Sequence, residues 1–148
     1  MTFTEAFNGM RANDGGPFGA IIVKGNEIIW KGHNTVLKAK DPTAHAEVNA
    51  IRHACQQLEN HHLTGAVLYS NFEPCPMCLA ATYWADIRTV YFSAGRAEAE
   101  KLGFMDKQLY EEFRLPTRKS EMIVSQIALE EYALLKHEWL SKDDRTVY

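Results

Sequence analysis

The chain has 148 residues, of which 46% are hydrophobic, and a formal net charge of -3. This length suits one domain over residues 1–148, and the apolar share is enough to fill a core without disulfides. The acidic excess disfavours a nucleic-acid ligand, because phosphate backbones are bound by basic surfaces. No apolar run has the length of a membrane span. An odd number of cysteines and the lack of a signal pattern predict reduced thiols and a cytoplasmic location.

The first part of the chain predicts a short helix, a β-hairpin and a longer helix. A helix over residues 2–12 has to end before Asp14-Gly15-Gly16-Pro17, which is a cluster of turn-forming residues. Two β-rich runs, 18–23 and 27–32, flank a Lys-Gly-Asn sequence that is typical of a hairpin turn. Over residues 44–58 the apolar positions recur at helical spacing, so a second helix is expected there.

The second part of the chain alternates predicted strands and helices. Residues 66–70 and 89–92 are β-rich runs, and 76–85 between them predicts a helix with proline in its first turn. Residues 122–127 predict a further strand, and 129–140 predict a final helix with an apolar stripe. The order β-β-α-β-α-β favours crossover connections, and therefore a mixed sheet flanked by helices in an α/β fold.

Three residues with metal-ligand side chains lie at the starts of two predicted helices. His45 opens one helix. If Pro76 takes the first position of the other, Cys75 is its N-cap and Cys78 its third residue, so both sulfurs can face one point beyond the helix end. Two thiolates and one imidazole suit Zn²⁺, and three protein ligands leave a fourth position for water, as in catalytic zinc sites. The pattern predicts one zinc ion per chain, in preference to two buried apolar cysteines and an unrelated histidine.

Glu47 lies two residues after His45 and outside the predicted ligand set. Because two thiolates cancel the zinc charge, the site acidifies water less than three neutral histidines would, and a nearby base has to assist. Glu47 can take the proton of the water and deliver it to a leaving nitrogen. A glutamate in a first helical turn can also serve only to offset the helix dipole. Beside the zinc ligands, we predict the catalytic role for Glu47.

Four short motifs carry a resemblance to a known family, two of them containing the H-x-E and P-C-x-x-C signature of zinc deaminases. They are Gly16-Pro17-Phe18-Gly19-Ala20, Gly32-His33-Asn34, Asp41-Pro42-Thr43-Ala44-His45-Ala46-Glu47 and Glu73-Pro74-Cys75-Pro76-Met77-Cys78. The chain resembles the cytidine deaminase superfamily, in the branch of bacterial guanine deaminases and tRNA adenosine deaminases. This resemblance implies a three-layer α/β/α fold with a mixed central five-stranded sheet.

Within that branch, other segments resemble the guanine deaminases. These are Tyr83-Trp84-Ala85, Gly103-Phe104-Met105-Asp106 and the tyrosine at position 148. The resemblance implies that Asn34 holds the base and that Asp106 contacts the substrate or moves protons, a second catalytic role beside that of Glu47. The whole set of substrate contacts that it implies is Phe18, Asn34, Ala46, Trp84, Asp106 and Tyr148. Each also has an ordinary structural interpretation, such as a turn for Asn34, core packing for Trp84 and a helix cap for Asp106.

The predicted reaction is the hydrolysis of guanine to xanthine and ammonia. The resemblance further implies a homodimer in which the C-terminal segment crosses to the partner subunit, so that Tyr148 of one chain completes the other's site. One alternative is a related deaminase of guanosine, an aminated triazine or cytosine. A second is a tRNA adenosine deaminase, which the acidic residues near the C-terminus disfavour. The third is a zinc-stabilised binding module, which requires a fourth protein ligand.

Overall fold

A mixed sheet of four strands lies at the centre of residues 1–110. The computed structural model describes residues 1–116 and 119–147. The strands are β1 (Gly19–Lys24), β2 (Glu27–His33), β3 (Ala66–Phe72) and β4 (Thr89–Ala94), in the spatial order β2-β1-β3-β4. Strand β1 is antiparallel to both of its neighbours, whereas β3 and β4 are parallel. Strands β2, β3 and β4 therefore run in one direction, and their carboxyl ends lie at one edge of the sheet.

Helices pack on both faces of this sheet, which confirms the predicted α/β/α layers. The helices of this part are α1 (Thr2–Arg11), α2 (Val36–Ala39), α3 (Ala46–Gln57), α4 (Pro76–Trp84) and α5 (Arg96–Lys101). Alternate residues of β1 point to opposite faces. Ala20 and Ile22 join the buried core that includes residues of α3. Gly19 faces the other way, so close to α1 that a Cβ on it would lie 2.2 Å from the carbonyl oxygen of Thr2.

The local signals that were read from the sequence place the hairpin and the helix starts correctly. Gly25 and Asn26, between β1 and β2, have φ values of +57° and +70°, the left-handed conformations that a tight hairpin turn requires. Helix α3 has His45 as its N-cap, and α4 has Cys75 as its N-cap with proline in the first turn. Both helices therefore begin where the metal-ligand pattern predicts.

The prediction of a fifth strand over residues 122–127 is wrong, because this segment has no strand conformation in the structure. A strand needs a neighbour for its backbone N–H and C=O groups. Within the described residues of this chain the segment has none, and Ile123 is 94% exposed. The segment thus has the apolar, β-rich composition of a strand, but its residues do not pair with a strand of the sheet.

Two short helices of the first 110 residues, α2 and α5, were not predicted, and α6 (Asp106–Glu112) was expected only as a helix near Asp106, without bounds. They have four, six and seven residues. Such lengths are too short for a helical repeat of apolar residues to be visible in the sequence. No helix among the described residues is long and apolar enough to cross a membrane.

Residues 111–148 form a second compact unit of the chain. Its described part contains helix α7 (Glu131–Ser141), close to the predicted final helix. From residue 121 to residue 147 every residue is exposed. The exposed residues include large apolar side chains, among them Leu134 at 72% and Val147 at 80%. The described residues of this unit therefore do not form a buried apolar core.

Candidate metal centre and active site

The three predicted zinc ligands lie together at the N-termini of α3 and α4. One donor atom each from His45, Cys75 and Cys78 can be chosen so that all lie within 4.8 Å of one another. The Nδ1 atom of His45 lies 3.7 Å from Sγ of Cys75 and 3.5 Å from Sγ of Cys78. Tetrahedral zinc, with bonds of about 2.3 Å to sulfur and 2.0 Å to nitrogen, requires a separation of about 3.5 Å between such atoms. The donor set therefore fits zinc in both chemistry and spacing.

The cysteines of this group are buried and influence each other's ionisation. Cys75 is 5% and Cys78 0% exposed. The hydrogen bond with Cys78 lowers the pKa of Cys75 to about 4, and the His45 imidazole acts in the same direction. The contact with Cys75, burial and the Glu47 carboxylate raise the pKa of Cys78. One thiolate therefore forms readily, and the second proton is released when a metal cation binds.

Glu47 lies beside this centre in the first turn of α3, where it is 4% exposed. Its Oε1 accepts a hydrogen bond of 3.0 Å from the hydroxyl of Ser70, and its Oε2 lies 3.5 Å from Sγ of Cys78. Burial raises the pKa of Glu47. A carboxyl group with a raised pKa is better suited both to accept a proton and to return it. Ser70 was not predicted as a site residue, because only the packing of α3 on β3 in the structure shows that its side chain reaches Glu47.

A cavity of about 430 Å³ opens onto the metal centre. Its wall includes His45, Cys75 and Glu47. The other lining residues are Gly15, Gly16, Phe18, Asn34, Val36, Leu37, Pro42, Glu73, Phe104 and Asp106. The volume lies in the range of small-molecule sites, which is about 300 to 1,000 Å³. The centre is thus accessible to a ligand the size of a heterocyclic ring.

The structure brings some of the predicted substrate contacts into this cavity and leaves others out. Phe18, Asn34 and Asp106 line it. Ala46 is fully buried between two site residues, and Trp84 lies at the end of α4 with 62% of its surface exposed; neither lines the cavity. Tyr148 lies outside the described residues.

The ring of Phe18 forms one wall of the cavity and is held edge-on by two other aromatic rings. Its centroid lies 4.6 Å from that of Phe104 and 5.2 Å from that of Phe72. Edge-to-face packing of this kind is favourable and restricts the orientation of the ring. Phe104 belongs to the segment that suggested a guanine deaminase, but its contact with Phe18 is visible only in the structure.

Two carboxylates at the cavity wall have different environments. Glu73 forms an ion pair of 3.1 Å with Nε of Arg96 and also accepts the backbone N–H of that residue at 3.2 Å. Arg96 in turn lies over the ring of Tyr110, at 4.2 Å from its centroid. Asp106 has no hydrogen bond to the described residues, and burial raises its pKa. Asp106 is therefore the carboxylate that remains available to a ligand.

The match to a protein family agrees with this geometry. Residues 2–94 match the family described as the cytidine and deoxycytidylate deaminase zinc-binding region. The chain therefore belongs to this family of zinc-binding deaminases, which confirms the resemblance seen in the sequence and zinc as its cofactor. The matched region contains all three ligands and Glu47, but it ends before Phe104 and Asp106.

Particular relatives extend the similarity to the rest of the chain. A guanine deaminase from Bacillus subtilis (strain 168) is 41% identical over 145 residues, which are 98% of this chain and 93% of that protein. The X-ray structure of guanine deaminase from Bacillus subtilis matches with a TM-score of 0.94, at 41% identity, over 99% of this chain and 94% of that one. A tRNA-specific adenosine deaminase from Aquifex aeolicus (strain VF5) is 54% identical, but over 53% of this chain and 52% of that protein.

We predict that replacing Cys75 or Cys78 with serine abolishes zinc binding, because a hydroxyl does not supply the soft anionic ligand that the site requires. Purified wild-type protein should contain about one zinc ion per chain, measured by elemental analysis, and each variant close to none. Cys55→Ser is the matched control, since Cys55 lies outside the ligand group. Full zinc content in Cys78→Ser would contradict the assignment.

Proposed function

We propose that this protein is a guanine deaminase, which hydrolyses guanine to xanthine and ammonia in purine catabolism or salvage. The observation that carries the proposal is how much of the chain is similar in sequence to a guanine deaminase. The similarity to the Bacillus subtilis guanine deaminase covers 98% of this chain. The similarity to the Aquifex aeolicus tRNA-specific adenosine deaminase covers 53%. Phe104 and Asp106, which line the cavity, lie beyond the region of the family match. The similarity to guanine deaminase thus includes the part of the chain that supplies these contacts.

The reaction uses the groups around the metal centre in a fixed order. His45, Cys75 and Cys78 would hold the zinc ion, which would supply Lewis-acid activation of the attacking water. Glu47 takes a proton from the water as the water oxygen bonds to C2 of guanine, and the π electrons of the C2–N3 double bond move to N3. Glu47 then gives the proton to the exocyclic nitrogen. The electron pair on N3 re-forms the C2–N3 double bond as the bond between C2 and the exocyclic nitrogen breaks, so ammonia leaves. Transfer of the proton of the C2 hydroxyl to N3 then gives xanthine. The hydrogen bond from Ser70 fixes the Glu47 carboxylate for both transfers.

The cavity offers a flat purine both an aromatic wall and polar partners. Phe18 supplies the wall. The side-chain oxygen of Asn34 accepts the backbone N–H groups of Gly16 and Val36, at 3.3 and 3.1 Å, so its amide nitrogen is left to donate to the ring. Asp106 presents a carboxylate that can accept N–H groups from the purine edge or exchange a proton with the substrate. These partners suit a base that carries both N–H groups and acceptor atoms.

Among the alternatives, deaminases of other small rings would use the same metal chemistry, and turnover measured on a panel of such substrates separates them from a guanine deaminase. A tRNA adenosine deaminase binds an anticodon loop, for which a basic surface is expected. The formal charge of -3 gives no such excess, and we therefore propose no nucleic-acid partner. We place the protein in the cytoplasm, because a reducing compartment keeps the ligand cysteines as thiols that can bind zinc.

We predict that the purified zinc enzyme releases ammonia from guanine, and not from guanosine, adenine, cytosine, cytidine or a tRNA anticodon stem-loop. Glu47→Gln should reduce kcat by at least about 10²-fold, because it removes the proton carrier, while zinc content stays unchanged. Ammonia release and formation of xanthine are both measured. Turnover of a different member of the panel would keep the zinc chemistry and overturn guanine as substrate.

We predict that Asp106→Asn lowers kcat/KM for guanine by up to about 10⁴-fold, because a site built for a particular N–H group depends strongly on its partner. The free energy of unfolding should change little, since Asp106 has no hydrogen bond to the described residues to lose. Steady-state kinetics and thermal unfolding test this. Glu111→Gln, an exposed position on the same helix α6, is the control and should retain full activity.

We further propose that the protein is a homodimer in which the C-terminal segment crosses to the partner subunit and contributes Tyr148 to its site. The apolar side chains between residues 121 and 147 support this proposal, because all of them are exposed within one chain. An exposed apolar surface of this extent is typical of a segment that packs against a partner. In a symmetric dimer, each chain would give its segment to the other.

The dimer proposal predicts complementation between two inactive variants. Glu47→Gln keeps Tyr148, and Tyr148→Ala keeps Glu47, so a mixed dimer has one complete site if the segment is exchanged. Refolding the two together in equal amounts should restore about a quarter of the wild-type activity, since half of the dimers are mixed. Light scattering should give twice the chain mass of 16.8 kDa.

Two mixtures of variants decide whether the segment is exchanged. Glu47→Gln refolded with Cys75→Ser is the control, because each site then lacks a residue of its own chain and no activity returns. Failure of Glu47→Gln and Tyr148→Ala to complement, with the dimer intact, would overturn the exchange.

A further inference from the structure

A buried aspartate outside the metal centre connects three segments around the cavity. Asp14 is 7% exposed, and its Oδ2 accepts hydrogen bonds from Nε2 of His33 at 2.9 Å and Nζ of Lys38 at 3.0 Å. Its backbone carbonyl accepts the N–H groups of Leu37 and Lys38, both at 3.0 Å. Through these four hydrogen bonds, the acceptors of one residue bind both the end of β2 and helix α2.

These partners lie on either side of Asn34 in the sequence. His33 comes immediately before Asn34, whereas Leu37 and Lys38 follow it in the first turn of α2. The turn that carries Asn34 is therefore tied at both ends to the same aspartate. Fixing both ends of a short turn leaves its backbone few alternative conformations.

The residues that follow Asp14 hold the side chain of Asn34 directly. Gly16 donates its backbone N–H to Oδ1 of Asn34. Gly15 approaches so closely that a Cβ on it would lie 2.0 Å from the same oxygen. Two backbone donors, from Gly16 and Val36, identify this atom as the oxygen of the amide. The amide nitrogen is consequently the end that remains for the cavity.

We propose that Asp14 is a positioning residue, which holds the turn around Asn34 so that the amide N–H of Asn34 faces an acceptor atom on the substrate ring. This inference rests on the proposed function in one respect, the binding of a ring by Asn34. Asp14 itself does not line the cavity within the described residues, and it acts only through the turn.

The charges around Asp14 keep it ionised for this task. Hydrogen bonds from His33 and Lys38 lower the pKa of Asp14 against the effect of burial. Among the described residues, the other charged group in contact with His33 is Glu5, at 3.7 Å, which also pairs with Lys31 at 3.3 Å. An ionised carboxylate forms stronger hydrogen bonds than a neutral amide, so Asp14→Asn weakens the attachment of the turn without changing the size of the side chain.

A purely stabilising role is the competing explanation, and a double-mutant cycle separates the two. Asp14→Asn should lower kcat/KM for guanine by about 10 to 100-fold, since a displacement of about 1 Å in a positioned group costs up to about 10²-fold. In the background of Asn34→Ala, the same change should cost less than about threefold, because residues that act through each other are not additive. Equal losses in both backgrounds would overturn the proposal.

A second readout does not depend on the substrate. The side-chain NH₂ signal of Asn34, assigned in ¹H–¹⁵N NMR spectra by its loss in Asn34→Ala, should shift or broaden in Asp14→Asn. Asp86→Asn is the matched control, because the Asp86 carboxylate, like that of Asp14, accepts hydrogen bonds from two side chains, here those of Thr64 and Arg88, but Asp86 does not line the cavity. It should leave both the Asn34 signal and kcat/KM unchanged.

The two readouts distinguish the failure of this inference from that of the proposed function. If the wild-type protein does not act on guanine, the proposed substrate is wrong, and the NMR comparison still decides whether Asp14 positions Asn34. If guanine is turned over and Asp14→Asn changes neither the Asn34 signal nor kcat/KM, with zinc content and thermal stability normal, Asp14 is not a positioning residue.

Discussion

The site depends on the meeting of two helix N-termini at one point. His45 caps α3 and Cys75 caps α4, and the first turns of these helices pack through Val48 and Cys78 in a small buried cluster. The partial positive charge at each helix end favours thiolates and a carboxylate there. The same contact that packs the helices therefore also sets the distances among the metal ligands. A shift of either helix would change the packing and the metal geometry together.

The direction of the strands explains why the cavity lies where it does. Strands β2, β3 and β4 run in the same direction, and the segments after their carboxyl ends supply Asn34, Glu73 and Arg96. Ligand sites of α/β sheets commonly occupy this edge, because the connections there converge and can vary without disturbing the core. The loop before β1 reaches the same edge, since β1 is antiparallel to its neighbours. It contributes Gly15 and Gly16.

The carboxylates around the cavity are of two kinds. Some form ion pairs that fix the surrounding loops, and others remain available to a ligand. Glu73 is paired with Arg96, and Asp14 with His33 and Lys38. The basic side chains Lys38 and Arg96 of these pairs are exposed to solvent, so the pairs contribute little to folding stability. Their main consequence is geometric, since they fix the loops. Asp106 and Glu47 are then the carboxylates among the described residues that are left for chemistry at this cavity.

The sequence by itself determined the metal ligands, the starts of the two helices that carry them and most of the sheet, because these follow from short-range rules. A proline after Cys75 sets the helix start, and Gly25 with Asn26 sets the hairpin turn. Only the tertiary structure decided which distant residues meet: Ser70 with Glu47, Phe104 with Phe18, and Asp14 with the turn around Asn34. Such contacts depend on strand register and loop paths. The strand predicted over residues 122–127 is absent from the structure. A β-rich composition does not by itself provide a neighbouring strand, because strand pairing is decided by the folded chain.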